Sequence, residues 1–264
     1  MSNFQYLSAS ALDEAAAKVK GAQDGALLAG GMTLLPSIKL GLSDPSDIVD
    51  LAGIGDLSGI DVEGGSVTIG AMTRHAEVAG SSEVATAIPA LAALTGGIGD
   101  LQVRNRGTIG GSIANNDPAA DYPAAVIALG ATVRTNKRDI SGDEFFIGMF
   151  ETVLAEDEVI VSVSFPKAGT AAYMKFENPA SRYAIVGVFL VKFIDGVRVG
   201  VTGATACAHR GMRLEEALNS TFTADAIDSV ELPIEKMNAD IHASAEYRAH
   251  LVKVMTKRAV EACV

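Results

Sequence analysis

Two short stretches of this 264-residue chain join paired glycines to hydroxyl residues. The first is AGGMTL at 29–34 and the second is RGTIGGSIANNDP at 106–118. Adjacent glycines let a backbone turn sharply and approach a ligand closely. The amides that follow, and any helix that opens there, attract phosphate oxygens. Asn115, Asn116 and Asp117 add polar groups to the second stretch, and Asp121 follows one helical turn after Asp117. Two such loops, about 80 residues apart, suit a ligand with two phosphates held by backbone donors from both sides. Neither is a P-loop, because the Gly-Lys-Ser/Thr ending is missing, and neither is Gly-x-Gly-x-x-Gly, so a classical NAD site is not expected. A single Gly-Gly pair after a strand reads first as a bare turn.

The elements that would carry these loops alternate early and turn antiparallel late. Residues 8–20 read as a helix with a Ser cap and acids in the first turn. Residues 26–29 and 48–51 read as short strands, with a short helix at 34–40 between them. Strands follow at 57–60 and 67–70, then helices at 73–79 and 81–94. The glycine-rich stretch 96–111 leads to a buried helix at 120–129 and to strands at 131–134 and 159–165. Residues 166–169 look like a boundary. Beyond it, 173–176, 185–193 and 197–202 resemble antiparallel strands, with Asp195-Gly196 as a hairpin turn. Helices are expected at 212–219, 224–230 and 243–262. No internal repeat or low-complexity tract is visible.

Composition narrows the classes. There are 21 Lys+Arg against 32 Asp+Glu, a net charge of −11, with 48% hydrophobic residues, 27 Gly and no Trp. The acid excess, without a basic run, argues against nucleic acid or an anionic membrane as the main partner. No apolar run approaches the ~20 residues of a membrane span. The start, 1–5, has no basic or apolar segment of the signal-peptide kind, so none is expected. Two cysteines, Cys207 and Cys263, cannot by themselves hold an iron–sulfur cluster or a disulfide framework. His75 and His209 lack neighbours at ligand spacing and read as non-metal residues, Cys207 as a small core residue, and Glu63, Glu156, Asp157 and Glu158 as turn and surface acids.

At this point the sequence resembles a family. AGGMTLLP at 29–36 and VRNRGTIGGSIANNDPAADYP at 103–123 look like the two FAD signatures of the flavoprotein (medium) subunits of molybdenum hydroxylases, the aerobic carbon monoxide dehydrogenase and xanthine dehydrogenase family. The likeness continues in DEFFIGMFETVL at 143–154, KFENPASRYAIVG at 175–187 and AEYRAHL at 245–251, and so covers the chain in order.

The resemblance implies an α+β chain. Residues 1–169 would form an FAD-binding domain of the vanillyl-alcohol-oxidase type, in subdomains of about 1–52 and 53–169. Residues 170–264 would form an antiparallel sheet with helices on one face, like the C-terminal domain of the carbon monoxide dehydrogenase flavoprotein. Ala29, Gly30, Gly31, Met32, Thr33 and Leu34 would sit on one side of the FAD pyrophosphate, and Thr108, Ile109, Gly110, Gly111 and Ser112 on the other, with Asn116 close by. Relatives often carry His or Gln in place of Met32. Asp121 matches an acid near the adenosine and ribose; the other reading is a charge at a helix N-terminus. Ile98 falls beside the cofactor, and Ile160 at a position that offers backbone groups to the flavin ring. Lys175 matches a lysine close to the flavin, where a cation would stabilise the reduced ring; the other reading is an exposed strand lysine. Tyr183 is either a flavin neighbour or a core tyrosine. Arg104 and Arg106 are open between phosphate, partner acids and solvated ion pairs.

By the same resemblance, no side chain here acts as acid or base on the organic substrate. The chain would carry FAD and accept electrons from the [2Fe-2S] clusters of a small subunit. A molybdopterin-containing large subunit would oxidise the substrate, in a dimer of heterotrimers. The electrons would pass to a quinone, NAD or oxygen. The expected location is cytoplasmic, with a place at the inner face of the membrane open only through the complex. The rival readings are a stand-alone FAD-dependent reductase of the same fold and a flavin-free, partner-binding subunit.

Overall fold

A computed structural model describes residues 3–167 and 169–263. Ala168, within the expected boundary at 166–169, and Met1 and Ser2 of the start lie outside the described residues. Three sheets follow one another along the chain. The first holds β1 (Gln5–Ser8), β2 (Gly25–Leu28) and β3 (Asp47–Asp50), all parallel, in the order β1-β3-β2. Helix α1 (Leu12–Gly21) packs on it through Ala15 and Val19, and α2 (Leu34–Lys39) follows the first glycine loop.

The second sheet is antiparallel, in the order β4-β5-β10-β6-β7, from β4 (Ile60–Asp61), β5 (Ser66–Gly70), β6 (Thr132–Thr135), β7 (Asp139–Ser141) and β10 (Ile160–Pro166). Between β5 and β6 lie six short helices: α3 (His75–Gly80), α4 (Ser82–Ala87), α5 (Pro89–Gly96), α6 (Leu101–Arg104), α7 (Ile109–Asn115) and α8 (Tyr122–Ala128). They bury the apolar face of this sheet, with Tyr122, Leu91, Ile109 and Phe165 at the centre. After β7 come α9 (Gly142–Phe145) and a small hairpin of β8 (Phe146–Gly148) and β9 (Glu151–Thr152).

The third sheet is β11 (Thr170–Glu177), β12 (Ala184–Lys192), β13 (Val197–Thr202) and β14 (His209–Arg210), antiparallel in chain order. Helices α10 (Met212–Ser220) and α11 (Ala245–Ala262) cover one face through Leu214, Leu218, Leu251 and Met255. The other face meets α8, and Gly200 is the reason it can: a Cβ there would lie 2.1 Å from the Ala124 carbonyl oxygen. β12 is buried along nearly its whole length, so it reads as a continuous apolar run.

Several expected elements differ. Ser8 belongs to β1, and α1 begins only at Leu12; Glu14 reaches back to the Ser10 amide at 2.8 Å and ties down that start. The helix expected over 81–94 is two helices, because Pro89 has no amide and forces Ile88 out of the helical conformation (φ −143°, ψ 77°). Of the strand expected at 57–60 only Ile60 lies in one, β4, while Leu57 closes a 3₁₀ turn, Gly55–Leu57; the helix expected at 224–230 is a 3₁₀ turn, Ala224–Ile227.

Candidate functional site

The two glycine loops pack against each other and line one cleft of about 610 Å³. The first loop leaves the end of β2 and enters α2; the second leaves α6 and enters α7. The glycines are what bring them together. A Cβ on Gly30 would lie 2.1 Å from the carbonyl oxygen of Arg106, and one on Gly111 would meet the Ala29 Cβ at 3.4 Å. Gly110 lies against Ala71, where a Cβ would come within 2.6 Å. Gly31 takes φ +73°, a conformation suited to glycine.

The loops differ in the donors they present. The amides of Gly30, Gly31, Met32 and Thr33 have no acceptor among the described residues. Consecutive unpaired amides form a concavity that attracts anions. In the second loop most amides are already used: Gly110 donates to the Ala71 carbonyl, Gly111 to Thr108 Oγ1 and Ser112 to the Thr108 carbonyl. What this loop offers the cleft is the Thr108 amide, the Ser112 side chain and close, small walls. This corrects the expectation that the glycines of both loops leave their amides free.

Of the residues singled out by sequence, Ala29, Gly30, Gly31, Met32, Thr33, Leu34, Ile98, Thr108, Gly110, Gly111, Ser112, Asp121 and Ile160 line the cleft. Ile109, Asn116 and Lys175 are not in the lining. Ile109 is wholly buried in the core beneath the second loop. Asn116 is buried at the end of α7 with φ +43°, and its Nδ2 donates to the carbonyls of Gly148 and Glu151, both at 2.8 Å.

Lys175 stands behind the cleft wall. Its Nζ lies 3.0 Å from Asp121 Oδ1, and donates to the carbonyls of Gly97 at 2.8 Å and Arg182 at 2.9 Å. It is therefore neither an exposed strand lysine nor a free cation at the cleft surface. Tyr173 also donates to Asp121 Oδ1, at 2.5 Å. Asp121 stands at the N-terminus of α8, where a negative charge is favoured, without a side-chain capping bond; its carboxylate is engaged by Lys175 and Tyr173. Burial pushes the Asp121 carboxyl up, against the Lys175 charge and the Tyr173 hydrogen bond. Burial also raises Tyr173 well above its ordinary range, with the Asp121 charge adding to it.

Two further residues of the lining, Tyr183 and His75, and Arg104 beside it take definite roles. Tyr183 is half-exposed on the cleft, and its phenol is raised by burial and then by the charges of Asp117 and Asp121. Arg104 braces the turn beside Ile98: its Nη1 donates to the carbonyls of Ile98 and Gly99, each at 2.9 Å. His75 supports Gly107 from below; it is held down to about 4 by burial and then by Arg104, so it is neutral at ordinary pH. Its Nδ1 is buried without a partner among the described residues.

Sequence reasoning placed Glu158 among surface acids. Its carboxylate is buried on the cleft wall, paired with Arg138 Nε at 2.9 Å and accepting from Thr135. Ser37 and Leu42 were passed over and also line the cleft. Nothing in a single sequence marks these residues, because each reaches the cleft from a separate element.

The sequence matches the family described as "FAD binding domain in molybdopterin dehydrogenase" over residues 2–168. It is 32% identical over 270 residues to the nicotine 6-hydroxylase medium subunit of Paenarthrobacter nicotinovorans, covering 97% of this chain and 95% of that one. It is 35% identical over 277 residues to the carbon monoxide dehydrogenase medium chain of Hydrogenophaga pseudoflava, covering 98% and 96%. Among solved structures, the carbon monoxide dehydrogenase of H. pseudoflava that lacks the Mo-pyranopterin moiety superposes with a TM-score of 0.90 at 35% identity, over 99% of this chain and 97% of that chain. Quinoline 2-oxidoreductase from Pseudomonas putida 86 gives 0.90 at 28% identity, over 98% and 96%.

Proposed function

Because this chain belongs to the FAD-binding family of the molybdopterin dehydrogenases, and FAD is its cofactor, we propose that it is the electron-transfer subunit of a molybdenum-containing hydroxylase. The observation that carries this reading is the first loop. Four successive amides without acceptors among the described residues lie beside a second, tightly packed glycine loop on one cleft of about 610 Å³. The donor set fits a pyrophosphate: neutral N–H groups, with the hydroxyls of Thr33 and Ser112, grip an anion without a buried counter-cation.

Each residue has a role in this reading. Ala29 to Thr33 and Thr108 to Ser112 hold the pyrophosphate from opposite sides. Leu34, Ile98 and Ile160 supply apolar walls that keep water from the bound rings. Asp121 fixes a hydroxyl of the sugar part. Lys175, Ile109 and Asn116 act from behind, by holding Asp121 and the second loop in place. When bound, FAD supplies the electron-transfer chemistry; the chain positions and tunes it.

The partners follow from the same reading. Electrons arrive from the [2Fe-2S] clusters of a small subunit, a large subunit with molybdopterin oxidises the substrate, and a quinone, NAD or oxygen takes the electrons. The assembly is a dimer of heterotrimers. Residues 1–169 form the FAD-binding domain and 170–264 the C-terminal domain. The relatives act on carbon monoxide and on N-heterocycles such as nicotine and quinoline, and the choice of substrate belongs to the large subunit.

The test is the absorbance spectrum of the purified assembly with FAD, before and after anaerobic dithionite. Bands near ~370 and ~450 nm that bleach on reduction are expected. Gly30→Ala drives a methyl into the Arg106 carbonyl, parts the loops, and should weaken FAD binding at least tenfold, roughly 1.4 kcal/mol. Gly55→Ala meets no atom within 4 Å and should bind as the wild type does. An assembly that stays colourless with excess FAD would overturn the reading.

A further inference from the structure

We propose that the hairpin of β8 and β9 is a docking knob for another subunit, whose facing surface is an apolar pocket with a basic rim. This rests on the reading that the chain works inside a multi-subunit enzyme. Three residues of the tip are apolar and open: Ile147 is 52% exposed, Met149 53% and Phe150 57%. The two residues just before them, Phe145 and Phe146, are buried and pack edge to face at 5.0 Å. The chain therefore switches from anchoring aromatics to displayed ones within a few residues.

The tip is held stiffly in this display. The Phe150 amide donates to the Asn116 carbonyl at 3.1 Å, and Asn116 Nδ2 holds the carbonyls of Gly148 and Glu151. Phe150 itself sits at φ +56°, in the left-handed region. A bulky residue is strained there, whereas Asn or Asp is tolerated. Strain kept at an exposed aromatic points to a use for the ring outside its own chain. Aromatic and methionine side chains are enriched in protein interfaces.

The charge pattern selects the partner. Glu144 and Glu151 are exposed beside the apolar tip, and the whole chain carries −11. A second copy of this chain would bring the same acids against them; a partner with Lys or Arg around an apolar pocket is complementary. Asn116 also ends α7, whose first turn is the second glycine loop, so one strut serves both the knob and the cleft.

The experiment compares wild-type chain with Met149→Ser/Phe150→Asn, each purified through a tag as the complex from cells that make it. Size, and molybdenum and iron per chain, report assembly; the melting midpoint of the isolated chain reports folding. Wild type should carry both metals in a large complex, and the variant should lose assembly at least tenfold. The variant's midpoint should hold or rise, because Asn relaxes the left-handed position. Glu144→Lys/Glu151→Lys, on the fully folded chain, should weaken assembly as well. Equal assembly of the wild type and both variants overturns the docking role. A lowered midpoint for the first variant assigns Phe150 to internal packing and also overturns it. A wild-type chain that purifies alone, without either metal, overturns the multi-subunit reading and the knob together.

Discussion

Lys175 shows how one residue is committed by its surroundings. Its ammonium meets Asp121 and the carbonyls of Gly97 and Arg182 with both side chains of the ion pair buried, 8% and 5% exposed. Removing one partner of such a pair leaves the other charge uncompensated, at a cost of about 3–5 kcal/mol. Lys175→Met should therefore lower stability by about that amount, and the loss should shrink as acid protonates the stranded Asp121, whose carboxyl burial already raises. Asp121→Asn/Lys175→Met should cost much less than the sum of the single changes. Urea unfolding of the three variants at pH 5 and 8 checks this; additive losses would dismiss the coupling. The importance of Lys175 was legible in the sequence, but its partners were not. Gly97 lies 78 residues away and Arg182 only 7, and only the fold brings both carbonyls to one point. The same holds for Gly30: a glycine pair announces a loop, yet the Arg106 carbonyl that demands a missing Cβ lies in the other loop.

Among elements, α7, whose first turn lines the cleft, was not legible as a helix. Its first turn contains Gly110 and Gly111, which read as turn signals. The helix forms because the Thr108 hydroxyl accepts from the Gly111 amide at 3.2 Å, and because Ile109 and Ile113 are anchored in the core. Loss of such a cap costs about 0.5–2 kcal/mol. Thr108→Val should show that loss in thermal unfolding and weaken FAD binding, while Thr108→Ser should keep both; equal melting of Val and wild type would remove the cap from the account. The third sheet was far easier to read. β13 falls on the residues expected for it, and β12 is displaced by a single residue, because a long, almost wholly buried strand beside an Asp-Gly turn leaves little choice. β1 was missed because it is four residues long, mostly exposed and polar at both ends.

At the scale of the whole molecule, acid response sets two groups of carboxylates against each other. Glu158 is drawn down to about 2 by Arg138, Glu14 to about 2 by Lys18, and Asp157 to about 2 by Lys137. A carboxyl with a lowered folded-state pKa stabilises the fold above its unfolded value, near ~4.3, and loses that contribution as pH falls through the folded value. Asp117 and Asp121 are shifted upward by burial and act in the opposite sense, gaining as pH falls toward them. The chain also approaches zero net charge near pH 4.8, where self-repulsion is least. Stability should therefore peak at about pH 5–6 and fall steeply from about 4 to 2. Glu158→Gln isolates one contribution: it should cost about 2 kcal/mol at pH 7, the value of a hydrogen-bonded charge pair. The gap from wild type should close as pH falls from 4.5 to about 2, because protonated Glu158 holds Arg138 no better than Gln does. A gap that stays constant across that window would mean the loss comes from packing on the cleft wall, and the charge of Glu158 would then play no part in the acid limb.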